Sequence, residues 1–131
     1  MPRLSIVAAL FGLLQGAALA QAAPGVEGVW KSAPNERGRY VEVEIAPCAA
    51  ALCGVIVGTN SPTPEKVMGR AMIRDMAGDG PGRWRGGTIW APDDDETYDA
   101  SMELLGPGRL RVSGCIPFGL MCRAQIWTRV E

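Results

Sequence analysis

Apolar and polar residues alternate strictly through three segments of this chain, and a period of two is the period of a strand. In Tyr40-Val41-Glu42-Val43-Glu44-Ile45, the residues Val41, Val43 and Ile45 face one way and the glutamates the other. Tyr98, Ala100, Met102 and Leu104 oppose Asp99, Ser101 and Glu103. Leu110 and Val112 oppose Arg109, Arg111 and Ser113. A surface buried on one face only is the mark of antiparallel sheet. Two more apolar runs, Leu52–Gly58 and Arg123–Val130, join GVEGVWKS, AMIRDM and RWRGGTIWAP to give about eight short strands. Turn signals separate them, among them Asn35-Glu36-Arg37-Gly38, Gly78-Asp79-Gly80-Pro81-Gly82 and Gly106-Pro107-Gly108. No helical stripe of useful length follows the first 20 or so residues.

Evenly spaced strands with tight turns predict an all-β domain: a small antiparallel meander closed into a β-barrel, with a β-sandwich as runner-up. An eight-strand barrel has an interior wide enough for side chains or one small ligand. The longest irregular stretch is Gly58–Gly69. Pro62 and Pro64 keep it out of a central strand, so it reads as a lid over one end or as a crossing connection.

The N-terminus carries an address. Arg3 is a short positive region, Leu4–Leu14 is apolar and uncharged, and Ala18-Leu19-Ala20 is a small-x-small cleavage site. Residues 1–20 read as a secretory signal peptide, with cleavage after Ala20 or alternatively after Ala22. Residues 21–131 then form one domain, exported to the periplasm. The apolar core of the leader falls short of the ~20 residues a membrane span needs, and no other segment approaches that length. The formal net charge is −1. Without a basic stripe, nucleic acid is not an expected partner.

Export gives the four cysteines an oxidising compartment, where an even number reads as disulfides. Spacings of C-x4-C and C-x6-C do not suit a zinc knuckle or a C-x-x-C redox pair. Of three possible connectivities, Cys48–Cys53 with Cys115–Cys122 is favoured, each closing a hairpin. Neither a metal nor a cofactor is expected.

The chain has no histidine, which removes the histidine-based triads and metal sites. Carboxylates remain. The run Asp93-Asp94-Asp95-Glu96 reads as a solvated turn whose aspartates cap local backbone groups, against a weaker calcium reading. An enzyme would need two carboxylates, or one with Tyr40 or Tyr98, in a common cleft. Trp30, Trp84, Trp90 and Trp127 all fall in predicted strands, as core plugs or as pocket walls. The methionines suit either role. Arg83, Arg85, Arg123 and Arg129 sit on or beside strands, where some could reach inward to an anionic head group.

The ordered series of Gly28-x-Trp30, CAAALCG at 48–54, WRGGTIWAP at 84–92, Tyr98, LRVSGC at 110–115 and CRAQIWTR at 122–129 resembles one family. It is the family of exported bacterial proteins catalogued as domain of unknown function 2147. The resemblance spans about Val26 to Val130 and implies a small barrel of lipocalin-like topology in the cell envelope. It implies no catalytic residue, because the family has no established activity. Family members often carry a glycine in the turn before the tyrosine, where this chain has Asp95-Glu96.

Three functional expectations follow, the first two without catalysis. The leading one is a monomeric binding barrel for a small apolar or amphipathic ligand. Its pocket would be lined by some of Trp30, Val43, Ile45, Trp90, Met102, Leu110 and Trp127. The second is an envelope interaction protein with a filled barrel and rim loops that meet a protein or cell-wall partner, which requires Ile116–Met121 to be exposed. The third is a hydrolase using carboxylates.

Overall fold

The computed structural model describes residues 25–130, together with Gly12. The leader and its cleavage sites lie outside the described stretch. Eight strands run in chain order: β1 Gly28–Lys31, β2 Val41–Cys48, β3 Ala51–Thr59, β4 Ala71–Gly78, β5 Arg83–Ala91, β6 Glu96–Gly106, β7 Arg109–Cys115 and β8 Cys122–Arg129. Each pairs with its neighbour antiparallel, and β8 pairs back onto β1, so the meander closes into a barrel and not a sandwich. Helical structure among the described residues is two 3-10 turns, Pro64–Lys66 and Pro117–Gly119.

The alternation carries directly into the interior. Val41, Val43, Ile45, Ala100, Met102, Leu110 and Val112 are all buried, and their polar neighbours in sequence are more exposed. Trp30, Ile56, Ile73, Met76 and Trp127 complete a single core with no exposure at all. Large residues face small ones across it. A Cβ on Gly54 would stand 2.8 Å from Val43 Cγ1, and one on Gly87 would stand 2.6 Å from Met76 Sδ. The barrel is thus filled by its own side chains.

The two ends differ. One carries the two-residue turns of β2–β3 and β6–β7, the Asp79–Gly82 turn of β4–β5, and the chain entering β1. Val26 plugs it, its carbonyl accepting from Trp30 Nε1 at 2.7 Å. We call this the closed end. The other end, the mouth, carries the longer connections, 32–40, 60–70, 92–95 and 116–121. The 60–70 connection is a pinned crossing. Asn60 accepts from Tyr40 N at 2.9 Å and donates to the Gly38 carbonyl at 2.8 Å, while Val67 packs against the core. One disulfide staples a hairpin at each end: Cys48–Cys53 at the closed end and Cys115–Cys122 at the mouth.

Candidate functional site

Strand β8 sets the character of the mouth. Its register with β7 runs Leu110↔Trp127, Val112↔Gln125 and Gly114↔Arg123. Directly opposed residues share a face. Leu110 and Val112 are core, so Gln125 and Arg123 also point to the lumen side, yet both are exposed. The reason is a short partner. β1 pairs with β8 only at Trp30↔Arg129 and Lys31↔Thr128. The wall beside Cys122–Gln125 therefore lacks β1, and the lumen face opens to solvent there.

Trp127 forms the floor, with Nε1 donating to Gln125 Oε1 at 3.1 Å. The absence of a side chain at Gly114 keeps the cup open. A Cβ there would come within 3.2 Å of Ile89 Cγ2 and 3.4 Å of Tyr98 Cβ, which places both residues on the same lumen face. Tyr98 donates its hydroxyl to the Asp94 carboxylate. That hydrogen bond, with desolvation and the charges of Asp94 and Glu96, raises the phenol pKa above 10.0, while Arg123 pulls it the other way. Arg123 thus lies within electrostatic reach of Tyr98.

The acidic turn is occupied by its surroundings. Asp93 Oδ1 accepts from Asn35 Nδ2 at 3.0 Å, Asp94 Oδ1 from Glu96 N at 3.0 Å, and Asp95 Oδ1 from Trp90 Nε1 at 2.8 Å. Asp95 has φ +55°, a conformation that favours glycine and that aspartate tolerates better than most residues. Among the described residues, no group of three potential ligands is arranged to hold a metal.

Of the seven residues read as pocket lining, Trp30, Val43, Ile45, Met102, Leu110 and Trp127 come together, but as tightly buried members of the core. Trp90 is only partly buried and packs on the margin of that core. A bulge in β5 between Trp84 and Gly87, with Gly86 at φ +78°, shifts the alternation by one. Trp84 opposes Met102 and Ile89 opposes Tyr98 on the inside, so Trp90 turns outward beneath Arg70, whose Cζ is 3.5 Å from the ring centroid. Two surface concavities, of about 300 and 360 Å³, lie against the outer face of β5–β7 and at the closed end, away from the mouth.

The four arginines singled out from sequence separate cleanly. Arg83 and Arg85 pair with Glu103 at 4.0 Å and Asp79 at 3.3 Å. Arg129 donates to three carbonyls, of Pro107, Glu27 and Gly25, at 2.6–2.8 Å, and lies over the Trp30 ring. Arg123 forms no ion pair or side-chain hydrogen bond with the described residues. Gln125 escaped the sequence reading, although counting back by two from Trp127 reaches it.

A profile of the family described as "Uncharacterized protein conserved in bacteria (DUF2147)" matches residues 28–129. The chain belongs to this family. The DUF2147 match runs from the first residue of β1 to the last of β8, so it is the barrel itself. Among solved structures, the chain is similar to one titled "Protein HP1028 from the human pathogen Helicobacter pylori belongs to the lipocalin family". The two share 15% identity with a TM-score of 0.69, over 83% of this chain and 85% of that one. At that identity the likeness shows a lipocalin-like fold and nothing further. The comparison with curated proteins gives no match. Among the described residues, no helix is long and apolar enough to cross a membrane.

Proposed function

We propose that this DUF2147 protein binds a small amphipathic molecule bearing an anionic group, held at the mouth of the barrel and not in its depth, in an oxidising compartment of the cell envelope. Arg123 carries this reading. It is a lumen-side guanidinium, exposed and without an ion-pair partner among the described residues, above a floor sealed by Trp127. A planar fork of donors suits a carboxylate, sulfonate or phosphate group. Ile89 and the Tyr98 ring offer the apolar side of the cup, and Gln125 offers an amide. The two disulfides support an oxidising compartment, as does the leader-like N-terminus.

The test is fluorescence titration of the oxidised mature protein with anilinonaphthalene sulfonate, an anionic amphipathic probe. Wild type is expected to bind, and Arg123→Ala to weaken binding by about 10-fold, the effect of one lost charge-assisted contact. Arg85→Ala, whose arginine sits on the outer wall, is expected to bind as wild type does. Equal affinity of wild type and Arg123→Ala removes the reading.

A further inference from the structure

The connection between β7 and β8 is Ile116-Pro117-Phe118-Gly119-Leu120-Met121, six consecutive residues without a polar side chain. It stands at the mouth, and its large side chains face water. Phe118 is 94% exposed, Leu120 80% and Met121 62%. Such a cluster gains nothing for folding and costs solubility. Phe118 also holds φ +67°, where glycine would sit without strain. The protein nevertheless fixes the loop. Cys115 and Cys122 oppose each other across β7 and β8 and are joined, and Ile116 N donates to the Met121 carbonyl at 3.0 Å. The result is a pre-shaped convex apolar tip. Met68, from the 60–70 connection at the same end, adds another exposed apolar side chain.

We infer that this stapled tip inserts into the interfacial region of a lipid bilayer and seats the barrel mouth-down on the membrane. Area decides against a flat protein interface. The tip offers on the order of 500 Å² of apolar surface, below the roughly 800 Å² that each side of a stable complex contributes. A bilayer asks for less, since a few large side chains reaching the acyl boundary suffice for reversible binding. Charge specifies the kind of surface. Around the mouth, Glu36, Glu65 and the acidic Asp93–Glu96 turn stand against Arg37, Arg39, Lys66, Arg70 and Arg123, so there is no basic field to select anionic lipid. Binding is apolar, indifferent to salt, and satisfied by zwitterionic lipid. The inference stands whether or not the mouth holds a small ligand.

The experiment is flotation of the oxidised mature protein with vesicles of phosphatidylcholine alone, at low salt and at about 0.15 M salt, where the screening length is ~8 Å. Wild type is expected to float with the vesicles equally well at both. The variant Phe118→Ser with Leu120→Ser, at positions too exposed to carry the fold, is expected to partition at least about 10-fold more weakly. Arg123→Ala is expected to float as wild type does, which separates this result from the fate of the ligand reading. Wild type that stays at the bottom overturns the inference, as does a double variant that floats undiminished. A concentration-dependent dimer in sedimentation, abolished by the same double variant, would assign the tip to a second copy of the chain and also overturn it.

Discussion

Arg123 and Arg129 leave the same face of β8 and meet opposite surroundings. At the closed end, Arg129 directs its guanidinium to three carbonyls and lies over Trp30. It ties the entering chain, the β6–β7 turn and the last strand into one knot. At the mouth, six residues earlier, Arg123 has no such partners, because β1 is too short to reach it. The staples repeat the contrast. Cys48–Cys53 closes a tip of Ala49 and Ala50, small and featureless, whereas Cys115–Cys122 closes one of Phe118, Leu120 and Met121. Equal scaffolding with unequal contents separates what holds the barrel from what it presents.

Removing the partition between the ends should have the largest effect. Trp127→Ala takes away a fully buried side chain beneath the mouth and should cost about 3–5 kcal/mol in denaturant unfolding. A cost near zero would mean that the core collapses freely around the gap. The arginines come next. Arg129→Ala should lose about 2–3 kcal/mol, with lysine a poor substitute for a fork serving three acceptors, while Arg123→Ala should stay within about 0.5 kcal/mol. Similar costs for the two would erase the distinction drawn between them. Replacing either cysteine pair by serine should cost about 2 kcal/mol, since the loops are similarly short. Only loss of Cys115–Cys122 should weaken vesicle flotation, by loosening the tip.

The smallest effect should be visible only in alkali. The raised pKa of Tyr98 means that the folded state holds the phenolic proton more tightly than the unfolded chain does. That stabilisation is fully present below the ordinary value of 10.0 and is lost as pH rises through the higher folded value. The stability gap between wild type and Tyr98→Phe should therefore be constant below that range and narrow above it. Parallel curves would show that the Asp94 hydrogen bond contributes nothing to the fold.

The barrel was legible in the sequence wherever alternation ran unbroken. Val41 to Ile45, Ala100 with Met102, and Leu110 with Val112 all face inward as their spacing requires. The family motifs pointed to the same closed meander that the strand pairing shows. What escaped was parity after an irregularity. The Gly86 bulge turns Trp90 away from Trp84's face, and no count of hydrophobic residues registers a backbone turn of one residue. The mouth escaped for a different reason. The exposure of Arg123 and Gln125 follows from how far a neighbouring strand extends, and β1 ends at Lys31 for reasons of tertiary pairing. In the same way, six buried residues could be grouped from sequence, but whether they enclosed space or filled it depended on how their volumes fit.

The two-position seam between β1 and β8 has a consequence in time as well as in space. Seven of the eight strand contacts join neighbours in sequence and can form as the chain is delivered, hairpin by hairpin. The eighth joins the first strand to the last, with Arg129 reaching back to Gly25 across 104 residues. Until β8 arrives, the molecule is an open ribbon with two unprotected edges. Ring closure is its slowest contact to find and the natural place for it to reopen, so amide protons along the seam should exchange first and report the lifetime of the closed ring.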